Sequence, residues 1–469
     1  MTPAALEHAA DRTAADPVVY DVVILGAGSG GYACALRAAQ LGLRVALVER
    51  DKVGGTCLHQ GCIPTKAMLH AAEVADTARH SSSVGVDLTE PSIDLGRVAA
   101  YRQGVVDRLF MGLTGLIVGR GIEVVAGEGR VLDAHHVAVG DRVLQGRNLV
   151  LATGSVPKTI ASIPLSDRVV TSDGALALTE LPERAAVLGG GVIGVEFASI
   201  LRSFGAEVTI IEALPRLIAA EDPALSAGLQ RAFRQRGIAT RLGARVAAVS
   251  ESEAEVRIEF EGAEPLVVDL LLIAVGRGPA PVPGLENLGL ESDRGFIPVD
   301  QWCRTTTPDV YAVGDLVAGL QLAHRGFAQG ILVAEVIAGR TPSPIAEHEI
   351  PRVTYCEPEV ASVGLTEAAA REQYGEIETI EYNLAGNGKS QILQTRGLVK
   401  LVRVAGGPVV GVHMLGSRVG EQIGEAQLIV AWQAHPEDVA PLLHAHPTQN
   451  EALGEAHLAL AGKALHAHG

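Results

Sequence analysis

Val19-Tyr-Asp-Val-Val-Ile-Leu25, then Gly26-Ala-Gly-Ser-Gly-Gly31, then a helical stretch to Leu41 and Arg44-Val-Ala-Leu-Val-Glu49, read as strand, glycine turn, helix and strand, closed by an acid. Short apolar runs bounded by glycine suit buried parallel strands. The same design returns at Arg184-Ala-Ala-Val-Leu188, Gly189-Gly-Gly-Val-Ile-Gly194, a helical stretch to Phe204 and Glu207-Val-Thr-Ile-Ile-Glu212. Two complete dinucleotide-binding βαβ units are therefore predicted. A lone GxGxxG is a weak signal, but here each copy follows an apolar strand and precedes an acid about 20 residues on. The glycines let the chain turn tightly and present backbone N–H groups to a pyrophosphate at a helix N-terminus. Glu49 and Glu212 are placed to accept hydrogen bonds from ribose hydroxyls. The plainer reading of either segment is a structural turn beside a solvated acid. Glu212 also bears on nucleotide choice: a carboxylate there repels the 2′-phosphate of NADP, and Arg216 is the nearest arginine, so NAD is favoured.

Outward from these units the texture changes. Residues 84–149 read as one or two amphipathic helices followed by short strands, with a hairpin or small antiparallel sheet over Gly127–Val150. Thr306-Thr-Pro-Asp-Val-Tyr-Ala-Val-Gly314-Asp315 is a further strand running into a glycine turn. From about Ile350 strands and helices continue without a nucleotide motif, which suggests a separate C-terminal domain.

Composition bounds the function classes. A chain of 469 residues suggests about three domains. The formal charge is 38 − 54 = −16, which offers no basic footprint for nucleic acid or an anionic membrane. No apolar run reaches the ~18 residues of a membrane span. The first nineteen residues carry neither the apolar core of a signal peptide nor the Arg-rich look of a transit peptide, and read as a loose extension. A cytoplasmic location is expected. Five cysteines (Cys34, Cys57, Cys62, Cys303, Cys356) are too few and too scattered for a disulfide scaffold.

The sharpest local signal is Gly54-Gly-Thr-Cys57-Leu-His-Gln-Gly-Cys62-Ile-Pro-Thr-Lys66. Two cysteines five positions apart exceed disulfide reach on a regular helix, so the backbone around them must be distorted. Glycines 54, 55 and 61 supply the freedom, and Pro64 is compatible with a first helical turn. A thiolate near a helix N-terminus is stabilised. A metal site would need a second ligand pair nearby, and none follows; no metal is expected. Two buried, inert cysteines are the plain alternative to the redox pair favoured here. Near the other end stands His444-Ala-His446-Pro447-Thr-Gln-Asn-Glu451. A histidine oriented by a carboxylate is the usual acid–base partner of a thiol. Taken alone, it reads as a surface histidine beside the first acid of a helix, in a tail rich in histidine.

Together the motifs resemble the class I pyridine nucleotide-disulfide oxidoreductases, from about Val19 to Ala467. The resemblance rests on Gly26–Gly31, Cys57–Cys62, Ala152-Thr-Gly154, Gly189–Gly194, Gly314-Asp315 and His446–Glu451, in that order. Cys62-Ile-Pro-Thr-Lys66, Gly31-Tyr32, Leu322-Ala-His324 and Ile350-Pro-Arg-Val-Thr-Tyr355 look like the members that oxidise dihydrolipoyl groups. Thr65 departs conservatively from the usual serine, and Gln449-Asn450 replaces leucine and serine or threonine.

The resemblance implies an α/β fold with two Rossmann-like dinucleotide-binding domains and an α+β C-terminal dimerisation domain. The division implied is 1–155 for FAD, 156–279 for NAD, 280–349 returning to the FAD part, and 350–469 for the dimer interface. Gly26, Gly28, Gly31, Glu49, Thr153, Gly154, Gly314 and Asp315 would hold FAD. Gly189, Gly191, Gly194, Glu212 and Gly276 would hold NAD. Lys66 would stand by the flavin and pair with Glu196. Electrons would pass from a dihydrolipoyl group through Cys57 and Cys62 to FAD and then NAD. His446, oriented by Glu451, would serve as base across a homodimer interface. Lipoyl groups borne on a 2-oxo acid dehydrogenase complex are the implied partner. Another disulfide substrate, such as glutathione, mycothione or trypanothione, stays open; so does a non-catalytic nucleotide-binding subunit, against which Cys57, Cys62 and His446 all stand.

Overall fold

A computed structural model describes residues 18–466, so the loose extension expected over the first nineteen residues lies almost wholly outside the described residues. The chain divides into two compact units, one of residues 1–57, 109–156 and 278–345, the other of residues 58–108, 157–277 and 346–469.

The first unit is built on a seven-stranded sheet. Strands Glu123–Ala126, Val45–Glu49, Val19–Leu25 and Arg142–Leu151 run parallel in that order, and Val310–Ala312 pairs parallel with the end of the last. The beginning of Arg142–Leu151 turns the other way round, pairing antiparallel with His136–Val139, which pairs with Gly129–Val131. The antiparallel strands expected over Gly127–Val150 are thus present, as one side of the larger sheet rather than a sheet of their own. Val22, Val23, Ile24, Leu47, Val150 and Leu151 are buried, as the continuous apolar runs require of strands covered on both faces. Helix Ser29–Gln40 lies against helix Ala323–Ile337 on one of those faces.

The second unit contains the repeat. Ile238–Leu242, Glu207–Glu212, Arg184–Leu188, Leu270–Ile273 and Val169–Val170 form an all-parallel sheet in that order. Helix Val192–Phe204 buries Val195, Phe197, Ile200 and Leu201, and ends at Gly205 in the left-handed conformation, φ 119°. Helix Pro223–Gln235 is opened by Asp222, whose carboxylate accepts from the N–H of Ala224, with proline at the first helical position. An antiparallel meander, 246–268, follows. The C-terminal part is a five-stranded antiparallel sheet over residues 352–416 with helices Val419–Ala431 and Glu451–Leu460.

The two glycine turns are geometrically alike. Gly26 and Gly189 have φ of +102° and +117°, and a Cβ on either would meet a carbonyl at 2.3 Å, that of Ala152 or of Ala274. A Cβ on Gly31 would stand 1.9 Å from the Gly26 oxygen, and one on Gly194 1.9 Å from the Gly189 oxygen. Helix and strand can approach this closely only where the side chain is a hydrogen. Gly31→Ala and Gly194→Ala should therefore each cost about 3 kcal/mol of local geometry, roughly a hundredfold in nucleotide affinity. Flavin retained on purification reads the first variant and NADH titration the second. Wild-type binding by both would show that the close approach does not set the turn.

Candidate functional site

The first glycine turn places Gly28 at the cap of helix Ser29–Gln40 in an extended conformation, with no side-chain cap bond. A Cβ on Gly28 would meet nothing within 4 Å, so the space before the helix is open. Glu49 reaches back from its strand: Oε2 accepts from the N–H of Ala27 at 2.8 Å and Oε1 from that of Asp51 at 2.9 Å. A carboxylate has about four lone-pair sites, so acceptor capacity for a ribose remains. A cavity beside it is lined by Gly26, Glu49, Gly129, Thr153 and Pro281 among others. Thr153 Oγ1 is buried there without a hydrogen-bond partner. An orphaned hydroxyl, an uncapped helix end and a cavity together suit a dinucleotide such as FAD. In the same unit Asp315 Oδ2 accepts from the Ser155 hydroxyl at 2.5 Å, and the Gly314 N–H donates to Gln329 at 2.7 Å. Gly154 and Gly314 both take positive φ, +76° and +71°, and the Gly154 carbonyl accepts from the N–H of Ala280.

The second turn repeats the arrangement. Gly191 is extended and uncapped at the start of Val192–Phe204, with nothing within 4 Å of a Cβ. Glu212 Oε2 accepts from the Gly190 N–H at 2.6 Å and Oε1 from that of Leu214 at 2.7 Å. Arg216 spends its guanidinium on the carbonyl of Ala219 at 2.7 Å. The acid thus faces the turn while the nearest arginine is engaged locally, which fits NAD. Gly276 has φ +102°, and its carbonyl accepts from the Lys158 N–H at 3.0 Å.

The cysteine segment is broken as its spacing demands. A short helix, Gly55–His59, ends, and a second helix, Cys62–His80, begins after Gly61 at φ −137°, ψ −112°. Gly54 and Gly55 have positive φ. Cys57 and Cys62 are both half-buried. One turn beyond Cys62, Lys66 Nζ donates to both oxygens of Glu196, at 2.9 and 2.8 Å. Glu196 is almost fully buried and also accepts from the Tyr355 N–H at 2.9 Å, while Lys66 Nζ stands 4.8 Å from the centre of the Tyr355 ring. Burial opposes the Lys66 charge, but the Glu196 carboxylate outweighs it and raises the pKa above the ordinary lysine value, with Cys62 and Tyr355 adding in the same direction. A raised lysine pKa is stability present below the unfolded value and lost as pH climbs through the folded one, so the pair is intact across neutral pH.

In the C-terminal part His446 Nδ1 lies 2.7 Å from Glu451 Oε1. The carboxylate only accepts, so Nδ1 carries the hydrogen and Nε2 is left as the acceptor. His446 is 76% exposed and Glu451 21%. Glu451 Oε2 accepts from the Thr448 N–H at 2.8 Å, which holds the carboxylate beneath the ring. Among the described residues no group of three or more His, Cys, Asp or Glu could hold a metal ion, and no helix is long and apolar enough to cross a membrane.

A paired set of dinucleotide turns, two half-buried cysteines on either side of a helix break, and a carboxylate-oriented histidine define a nucleotide-dependent thiol–disulfide oxidoreductase. The chain belongs to the pyridine nucleotide-disulphide oxidoreductase family: residues 20–330 match that family, and residues 350–457 match its dimerisation domain. It uses FAD and NAD and pairs as a homodimer. It is 38% identical to a dihydrolipoyl dehydrogenase of Bacillus subtilis, over 95% of this chain and 99% of that one. It is 39% identical to a dihydrolipoyl dehydrogenase of Chlorobaculum tepidum, over 93% and 96%. Among solved structures it is similar to LpdA from Mycobacterium tuberculosis, with TM-score 0.88, 25% identity and coverage of 94% and 99%. It is also similar to the HOCl-induced flavoprotein disulfide reductase RclA from Escherichia coli, with TM-score 0.83, 28% identity and coverage of 93% and 99%.

Residue types and spacing give no role to Tyr355, Ser155 or Glu425. Tyr355 closes the quoted stretch Ile350–Tyr355 and Ser155 follows Ala152-Thr-Gly154, but neither is of a type that announces a role. Glu425 lies in an apolar helix with no motif about it. The Lys66–Glu196 pair yields a direct test. Glu196→Gln leaves a half-buried ammonium without its counter-charge and should cost about 3 kcal/mol. Denaturant unfolding of the flavin-loaded dimer measures it, together with a fall in the lysine pKa. An unchanged midpoint would mean that the pair adds nothing to stability.

Proposed function

We propose that this protein oxidises dihydrolipoyl groups to lipoyl disulfide with NAD+ as final acceptor. The observation that carries the reading is the His446–Glu451 pair, 2.7 Å apart, with Nε2 of a mostly exposed ring available as base. The relatives named dihydrolipoyl dehydrogenase, matched over nearly their whole length, support the substrate.

Gly26, Gly28, Gly31, Glu49, Thr153, Gly154, Gly314 and Asp315 hold FAD, and Gly189, Gly191, Gly194, Glu212 and Gly276 hold NAD. On this reading residues 1–155 and 280–349 form the FAD part, 156–279 the NAD part and 350–469 the interface. His446, serving the cysteine pair of the other protomer, takes the proton from one dihydrolipoyl thiol. The resulting thiolate attacks Cys57 Sγ; the Cys57–Cys62 bond breaks and Cys62 departs as thiolate. The second substrate thiol then attacks the mixed disulfide, releasing lipoyl disulfide and the Cys57 thiol, so two electrons and two protons leave the substrate. Lys66, fixed by Glu196, holds positive charge one turn from the Cys62 thiolate. Bound FAD and NAD supply the hydride transfer that returns the cysteine pair to the disulfide. Lipoyl groups carried on a 2-oxo acid dehydrogenase complex are the physiological partner, in the cytoplasm.

The flavin-loaded protein should reduce NAD+ when offered dihydrolipoamide, monitored at the NADH absorbance. Cys57→Ser and Cys62→Ser should abolish turnover, and His446→Gln should lower it by about 10²- to 10⁴-fold, the usual share of a general base. Silence with dihydrolipoamide, alongside NADPH-dependent reduction of glutathione or mycothione disulfide, would overturn the substrate and keep the thiol chemistry.

A further inference from the structure

Beside the His446–Glu451 pair lies a second histidine–carboxylate contact. His444 Nε2 is 2.9 Å from Oε1 of Glu425, on helix Val419–Ala431. The other oxygen of Glu425 accepts from the Asn450 amide at 2.5 Å. His444 is 10% exposed, against 76% for His446. Its ring lies on the helix that Glu451 begins: a Cβ on Gly454 would come within 2.5 Å of Nδ1, so that helix accepts the ring only because residue 454 is glycine. Asn450 occupies the cap position of the same helix yet gives no side-chain bond to its first turn. One carboxylate therefore grips the chain two residues before His446 and again directly before Glu451. Gln449 adds a third hold, accepting from the Ser390 hydroxyl at 2.6 Å and donating to the Ser417 carbonyl at 3.3 Å.

We propose that Glu425 is a positioning residue, which through His444 and Asn450 clamps both ends of the segment that presents the His446–Glu451 pair. The inference rests on the reading of His446 as base. The electrostatics agree: the hydrogen bond with Glu425 raises the His444 pKa, and the same bond lowers that of Glu425, so each group favours the charged form of the other. The other ionisable groups felt there are Glu451, which supports the His444 charge, and His457, which is buried with its own pKa lowered by that burial. The clamp also gives Asn450 a task a hydroxyl in its place would reach less far to perform: its amide donates across to another helix.

The test uses the flavin-loaded dimer carrying Glu425→Gln, His444→Gln or both. For dihydrolipoamide oxidation kcat should fall about 10- to 100-fold, the scale of a misplaced catalytic group, with KM little changed. NADH oxidation by ferricyanide, which draws electrons without the thiol half-reaction, should stay at the wild-type rate. The double variant should lose no more than the worse single one, because both act through one contact. Hydrogen exchange over residues 444–451, which needs no substrate, should quicken in Glu425→Gln. An unchanged kcat, additive losses, an equal fall with ferricyanide or unaltered exchange would each overturn the clamp. A wild-type protein inert toward dihydrolipoamide would instead overturn the function on which it rests, and the exchange measurement tells the two failures apart.

Discussion

The structure depends on two places where a helix begins almost in contact with the strand before it. At Gly31 and Gly194 the separation from the Gly26 and Gly189 carbonyls leaves no room for a Cβ. That contact aims the first turn of each helix, with its positive dipole end, at the carboxyl edge of a parallel sheet. The acid ending the neighbouring strand then completes the turn. Glu49 and Glu212 each bond a backbone N–H inside it, Ala27 in one case and Gly190 in the other, while keeping lone pairs for a ligand. Fold and proposed nucleotide site are therefore one piece of geometry, made twice.

Charges buried elsewhere in the second unit serve a different end. Lys400 is shared between Asp222 at 3.0 Å and Glu367 at 2.8 Å, and Arg352 donates to Glu221 at 3.0 Å. Asp222 also caps a helix, and its carboxylate is held below the ordinary aspartate pKa against the opposing effect of burial. Desolvation takes back much of the Coulomb gain of such pairs, but removing one partner leaves the other charge buried and uncompensated. Lys66 and Glu196 differ in where they stand. Their cation lies one turn from a half-buried cysteine, a position that packing alone does not require.

Much of this was legible because the deciding contacts are local or periodic. The strand bounds Val19–Leu25, Arg184–Leu188 and Glu207–Glu212 follow from apolar runs closed by glycine or acid, and the structure has them at the same residues. The break between Gly55–His59 and Cys62–His80 follows from the five-residue cysteine spacing. Contacts across long chain separations carry no such mark. Residue types alone gave no way to pair Lys66 with Glu196, 130 positions away, and only family resemblance suggested it. Nothing in Val419–Ala431, apolar on most positions, singles out Glu425 as the partner of His444. The backbone bonds of Glu49 and Glu212 escaped for a subtler reason: an acid at a strand end suits a ribose and a backbone N–H equally well, and spacing does not choose between them.

The helix break also puts the two cysteines in unlike settings. Gly61, at the cap of the helix of Cys62, has no side chain to cap it, and the positive end of that helix lies at Cys62. The helix dipole and the Lys66 ammonium then act on the same sulfur, and the ammonium is kept in place by Glu196 rather than neutralised at the sulfur. Cys57 belongs to the preceding short helix, on the far side of the break. A disulfide between unlike sulfurs has a preferred direction of opening: the sulfur in the more positive field is the better leaving group, and attack falls on the other. On the function proposed above, that asymmetry is what a two-step exchange needs, because one cysteine must meet the substrate while its partner holds charge. It comes from a glycine interrupting a helix between them, the same residue type that shapes the nucleotide turns.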